Sequence, residues 1–500
     1  MRCRFITLLI DIAAVAASVA SPIDTALVEH TTLGRLTEQE SLRNPAIHGA
    51  AYLTSFSQLT LGVDLLRQSE AFIPEKGTGY TLPYLQVTTH LRLNAHSSVW
   101  GEASYTTGRQ YDITWNSTSD YDLLQPYILA DTSGGGTRHE RYCFSGGWGT
   151  RANRWLAGVE MKVRAEQEYR RLDPRMRGVV VDLTLRGGAG YEMSRYRVGA
   201  AVETNIYKQT NSVAFYHEEG VIPEYQMTGL GTEYSRFSGD KRSVYHDGGG
   251  MALLLHGSPL NGSGVYGDMV LEEHRYHRKL SEYNAMPLTD LYNHHMGATI
   301  GWKRQVQSRR TALYGHVDWT RRTGNEHVIG TSDGQRYPVV ATMTMYKNDI
   351  VDAHAGVLYG KGCWNLALKG GFMSHKEEYV YPRRQLNSQH VYGTLQGQCF
   401  LRHNDKLLFT VQAHVAGYCN VGDKLLMPLA NMSAPVIALI RHKHDYATAN
   451  YTDLGAKLRA DMPLKSSSHL GLFGQIAGGL VLCSTSEHES RVQAAIGLTF

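Results

Sequence analysis

The stretch Val492-Gln493-Ala494-Ala495-Ile496-Gly497-Leu498-Thr499-Phe500 decides how the chain is read. Apolar residues stand at 492, 494, 496, 498 and 500, with small or polar residues between them. A period of two belongs to a strand whose faces meet different surroundings. The strand closes on an aromatic residue with no polar tail, whereas the ends of water-soluble domains tend to fray into solvent. A strand that seals a membrane barrel has reason to finish this way, with its ring at the lipid–water boundary. The fold expected from this stretch is a transmembrane β-barrel.

Composition agrees with strands and not with membrane helices. Mean hydropathy is negative, and downstream of the N-terminus no uncharged apolar run reaches the roughly 18 residues a spanning helix needs. Tyr (30) outnumbers Phe (11), which suits rings placed where lipid meets water, and Gly is abundant at 51. A formal charge of +4 over 500 residues, without a basic cluster, gives no reason to expect nucleic acid as a partner.

The N-terminus reads as an export signal, residues 1–20. Arg2 and Arg4 are its positive start, 5–15 its apolar core, and Ser18-Val19-Ala20 a small-residue cleavage site. Asp11 is an unusual guest in that core. Residues 21–50 are then expected as a periplasmic segment and 51–500 as the barrel. Five cysteines remain, 143, 363, 399, 419 and 483; an odd number at wide spacing is no disulfide framework.

From about residue 51 onward, segments of about 10–15 residues alternate apolar and polar, joined by alternately short and long connections. The clearest is 155–169. Trp155, Ala157, Val159, Met161, Val163 and Ala165 share one face, while Glu160, Lys162, Arg164, Glu166 and Glu168 share the other. Wound as a helix, these charges would scatter all round. About 15 residues is also long against the usual 5–6 of a soluble sheet. Residues 85–93 and 179–191 repeat the pattern, and 350–359 and 446–459 are read as further strands, the first after a loop containing Gly330, Gly334 and Pro338. The count is about 18 strands, with 16 as the alternative. The architecture expected is an all-β, antiparallel, up-and-down barrel with short periplasmic turns and long extracellular loops. Such a barrel encloses a wet interior and does not pack solid.

Parity sends one set of charges inward: Glu102, Glu160, Lys162, Arg164, Glu166, Asp182, Arg186, Arg197 and Glu203. Such rows either select charged solutes or pair with one another and fix strand register. A second inward set is His316 and Asp318 on one strand, Asp352 and His354 on the next, with a register that sets like opposite like; Glu272, His274 and His295 lie nearby. Imidazole with carboxylate suits a transition metal, or imidazole a haem; ordinary hydrogen bonding is the plainer reading. Nucleotide-loop, serine-hydrolase and zinc-protease motifs are absent. The rim histidine His294 has no evident nucleophile or acid beside it, so the chain is read as a non-enzyme. Asn116-Ser117-Thr118 and Asn261-Gly262-Ser263 match a glycan sequon that chance readily supplies. Two connections, 123–129 and 425–440, are more apolar than water-exposed loops should be, and are expected to fold inward as a constriction or plug, with a protein partner as the alternative.

Arg43-Asn44-Pro45-Ala46, the long alternating strands and the terminal Gly497-Leu498-Thr499-Phe500 together resemble Gram-negative outer-membrane β-barrels. Among these the chain is most similar to a barrel family of unknown function. The resemblance implies residence in the outer membrane, contact with its lipid, and a terminal strand recognised by the outer-membrane insertion machinery through Ile496, Leu498 and Phe500. It brings no catalytic residues. The function expected is a channel or porin-like protein for small solutes; the alternative is a plugged structural partner of another outer-membrane protein in an uptake complex.

Overall fold

The computed structural model describes residues 25–216, 224–234, 243–281, 284–334, 336–403, 407–428, 434–464 and 470–500; the export signal expected from the sequence lies outside them. Eighteen strands form one antiparallel sheet that closes on itself. In chain order the first wall strands are β1 (Phe56–Gln68), β2 (Gly79–Arg92) and β3 (Ser97–Ile113). After the short inner strand β4 (Leu129–Ala130) come β5 (Gly135–Ala152), β6 (Trp155–Arg170), β7 (Arg175–Glu192) and β8 (Tyr196–Ala214). Two further inner strands, β9 (Tyr225–Gly229) and β10 (Thr232–Glu233), pair with β4 as a small separate sheet. The wall resumes with β11 (Val244–Pro259), β12 (Gly264–Leu280), β13 (Met286–Val306), β14 (Arg309–Ile329) and β15 (Val339–Lys361). It ends with β16 (Trp364–Tyr379), β17 (Arg384–His403), β18 (Leu407–Leu426), β19 (Tyr451–Pro463), β20 (Gly471–Cys483) and β21 (His488–Thr499).

The seam is β1 against β21. Gln58 stands opposite Thr499 and Asp64 opposite Gln493, and Ser57 and Phe500 exchange two backbone hydrogen bonds of 2.9 Å. An unpaired backbone group in lipid costs several kcal/mol, so this closure is what permits the sheet to sit in hydrocarbon. Ile496 on β21 (65% exposed) and Phe500 just past its end (55%) face outward, and Leu498 lies across from Leu59 and Leu472. Trp148, Trp155, Trp302 and Trp364 are also exposed, each near a short turn. They form an aromatic girdle at that end, as an interfacial belt requires. No helix among the described residues is long and apolar enough to cross a membrane.

The sequence reading departs from this wall in three places. The strand expected at 350–359 runs from Val339 to Lys361. Its first residues are exposed on both faces because they stand beyond the hydrocarbon, which needs only about 9–11 residues of each strand. Residues 446–450, taken as strand, belong to the end of a helix and its exit: after the short helix α4 (Tyr121–Leu124), α5 occupies Ala434–Ala447, and β19 starts at Tyr451. The largest departure concerns 21–50. The described part of this segment is not a free periplasmic tail but folds inside the barrel at its short-turn end. It forms α1 (Thr25–Thr31), a 3-10 turn (Leu33–Glu38), α2 (Gln39–Leu42) and α3 (Pro45–His48). Its apolar residues meet inward wall residues all the way across: Leu27 against Phe400 and Leu408, Leu33 against Ala312 and Leu358, and Ile47 against Leu156.

Candidate functional site

The inner plug rests on glycine. Gly149, Gly158 and Gly188 lie side by side on β5, β6 and β7. A methyl group at Gly158 would sit 2.4 Å from the carbonyl carbon of Pro45, and one at Gly149 2.8 Å from Cα of Gly49. At Gly188 it would meet the Asn44 side chain. The missing side chains thus let the α3 backbone lie flat on the wall. Asn44 caps α3 through Ala46 N–H at 3.0 Å, and Pro45 fills the first helical position where no donor is needed. Arg43 donates to Glu272 at 2.5 Å, with Glu203 3.8 Å away. Further round the wall, the Gln398 side chain accepts from Leu33 N–H at 2.6 Å and donates to the Thr31 carbonyl at 2.9 Å.

A second plug descends from the opposite end, built from the connections 114–134, 224–234 and 434–447. The apolar loop 123–129 folds inward as its composition predicted: Leu124, Tyr127, Ile128 and Leu129 are buried. So are Leu439 and Ile440, which α5 supplies in place of the expected irregular loop. Wall arginines hold these segments. Arg164 grips Asp120 with two hydrogen bonds of 2.7 Å. Arg170 pairs with Asp131 at 2.7 Å, both side chains fully buried, and reaches the Asn116 carbonyl. Arg278 donates to the carbonyls of Met227 and Ile128, and Arg384 to that of Leu230. Sequence reasoning missed Arg170, Arg278 and Arg384; inward parity marks them, but their partners are remote in the chain. Asn116 is buried and donates to the Glu75 carbonyl at 3.1 Å, so its sequon presents no acceptor to a glycan.

Between loop and helix lies a cavity of about 390 Å³, within the range of small-molecule sites. Trp115, Tyr121, Ile128, Leu439, Tyr446 and Val481 are among the residues that line it. Beyond tyrosine hydroxyls its polar side chains are few: Glu75, Gln125, His375, Glu377 and Lys443. Glu75 is 3% exposed and ion-pairs with Lys443, which also donates to the Tyr121 hydroxyl at 3.3 Å. Burial works against the Lys443 ammonium, but Glu75 and Tyr121 outweigh it and hold its pKa above the ordinary lysine value. A second space of about 360 Å³ separates the inner plug from the wall. There His48 stacks on Trp100 at 4.4 Å and His30 on Tyr52 at 4.1 Å, beside the buried His90.

The charges read as lumenal are inside, and nearly all are paired. Arg186 donates to Glu203 at 2.7 Å and lies 3.6 Å from Glu160, which also meets Lys162. Arg164 is within 3.3 Å of both Glu166 and Asp182. Arg197 binds Glu192 at 2.6 Å, and Glu102 accepts from Gln86 at 2.8 Å. The register His316 opposite His354 and Asp318 opposite Asp352 is as read from sequence. The four do not assemble a metal centre, however: among the described residues no three His, Cys, Asp or Glu side chains converge on one point. Asp318 is taken by His295 at 3.0 Å, and Asp352 by His354 at 3.2 Å and the Tyr392 hydroxyl at 2.7 Å. Each carboxylate spends its lone pairs on a neighbour in the wall.

The chain belongs to a family of unknown function (DUF6850), whose match spans residues 45–500. No curated protein matches it. Among solved structures it is similar to BauA, the ferric preacinetobactin receptor from Acinetobacter baumannii, with TM-score 0.44, 6% identity, and 89% of this chain and 80% of that one covered. It is also similar to FyuA, the ferric yersiniabactin uptake receptor from Yersinia pestis, with TM-score 0.44, 9% identity, and 89% and 80% covered. For the monoaromatic hydrocarbon channel CymD the values are 0.30, 10%, 97% and 95%. At such identities the likeness concerns architecture and leaves the chemistry open.

Proposed function

We propose that this member of the DUF6850 family is a transport barrel of the Gram-negative outer membrane that admits a small solute through a gated lumen. It is not read as an enzyme. The observation that supports gating is the occupation of the barrel from both ends. The segment from Thr25 to His48 lies on glycine at one end, and arginine-tethered connections fill the other. This moves the reading from an open, porin-like passage toward one that must rearrange to conduct. It also suits the lumenal charges, which are spent on holding plugs and register more than on lining a stream of ions.

Planar-bilayer conductance tests the proposal. The intact protein is expected to be silent, and a variant lacking residues 25–50 to give stable open steps, with heat-modifiable gel mobility confirming that both are folded barrels. Open steps from the intact protein would favour a simple porin. Silence from the folded deletion variant would favour a structural role beside another outer-membrane protein.

A further inference from the structure

We infer that the external cavity binds a small, mainly apolar molecule carrying one ammonium group, such as an arylalkylamine; as the entry step of a transporter, this site rests on the gated-transport reading. The wall sets the body of the ligand. Trp115, Tyr121 and Tyr446 offer rings, and Ile128, Leu439 and Val481 offer aliphatic surface, so a molecule that fills the space must itself be largely apolar.

The polar groups set its head. Two carboxylates, Glu75 and Glu377, face one ammonium, Lys443, which is already committed to Glu75 and Tyr121. The second Glu75 oxygen, Oε2, is buried with no hydrogen-bond partner. Glu377 has no ion pair among the described residues. The inward cation nearest in register, Arg322, stands two strands away with Asn348 between them. Nε2 of His375 is likewise buried and unpartnered. The cavity therefore holds spare acceptors and spare negative charge.

An ammonium brings three donors and one positive charge, and the surrounding ring faces attract a cation as well. A hydrocarbon would leave the Glu75 oxygen orphaned, which is costly in a buried site. A carboxylate ligand would face two like charges and a lysine whose charge and two of whose three donors are already engaged by Glu75 and Tyr121.

The test is ligand binding to the refolded full-length protein in detergent, read by tryptophan fluorescence. Trp115→Phe identifies the reporting residue. The probes are three near-isosteric molecules: 2-phenylethylamine, 2-phenylethanol and 3-phenylpropanoate. The amine is expected to saturate at least about tenfold more tightly than the other two, the effect of one charge-assisted hydrogen bond. E377Q should erase that preference while leaving alcohol binding in place, and L439W should block all three probes. Heat-modifiable mobility checks that each variant is folded. The inference is overturned if the alcohol or the acid binds as tightly as the amine, if no probe saturates, or if E377Q and L439W leave the amine unaffected. Binding and conductance are separate readings: a selective site on a barrel that never conducts would remove the transport role and keep the site. A conducting deletion variant with no selective site would do the reverse.

Discussion

Gly158 is where one methyl group reports on the inner plug. Its position faces the lumen, and a Cβ there would lie 2.4 Å from the Pro45 carbonyl carbon and 2.6 Å from Ala46 N. Ordinary contact begins near 3.4 Å, so G158A requires a displacement of about 1 Å. The obstacle is backbone, held on either side by Asn44 and Ile47, which are 1% and 4% exposed, and it has no rotamer to change. Overpacking of this kind costs about 1–3 kcal/mol. Full departure of α3 would forfeit in addition the burial of Ile47, about 1.5–3 kcal/mol. A cost of about 1–3 kcal/mol shifts the ratio of unseated to seated plug by about 5–150-fold. The amides of Ile47, His48 and Gly49, hydrogen-bonded to Asn44 and Pro45 at 2.9–3.0 Å, should lose protection by that factor in hydrogen-exchange mass spectrometry. Gly187 is the control: it is next in sequence to Gly188, and a Cβ there meets nothing within 4 Å. G187A should exchange as the wild type does. Unchanged protection of residues 44–50 in G158A, or an equal loss in G187A, would refute the glycine seat.

The same protection should depend on pH through His48. Burial lowers its pKa from 6.5 to about 4, against a hydrogen bond to the Leu42 backbone and with help from Lys162, His30 and Arg35. Stability of the seat, about 3 kcal/mol at most from this group, is complete above pH 6.5 and is lost as pH falls toward 4. Protection of residues 44–50 should fall across that window and stay flat in H48Q. Glu224 in the outer plug carries the opposite sign. Burial, with Asp131 nearby and Arg170 opposing, pushes its carboxyl up to about 9, so its favourable contribution is full below about 4.5 and disappears as pH rises through 9. E224Q should match the wild type in proteolytic resistance of 224–234 at pH 4, and exceed it above pH 9.

What the sequence made legible was whatever repeats with period two. The segment at 155–169 shows both faces of the wall in one stretch, and the terminal strand shows where the sheet must close. Even the register of His316 against His354 followed from parity and spacing. The plugs were legible only in part, because their signal is not periodic. Leu123, Leu124 and Leu439 betrayed themselves as apolar residues in connections that should be wet. The Thr25–His48 segment did not: its Arg, Glu and Asn content reads as solvent-exposed until Glu272, Glu203 and Gln398 are placed around it. Gly149, Gly158 and Gly188 look like scattered strand glycines, and become a platform only when three strands are paired. Glu75 and Lys443 come from opposite ends of the chain and meet because two loops fold into one mouth. Periodicity records the boundary between lipid and lumen, a condition every wall residue shares. A gate or a binding pocket is a meeting of single residues brought together by closure, and it has no period to leave in the sequence.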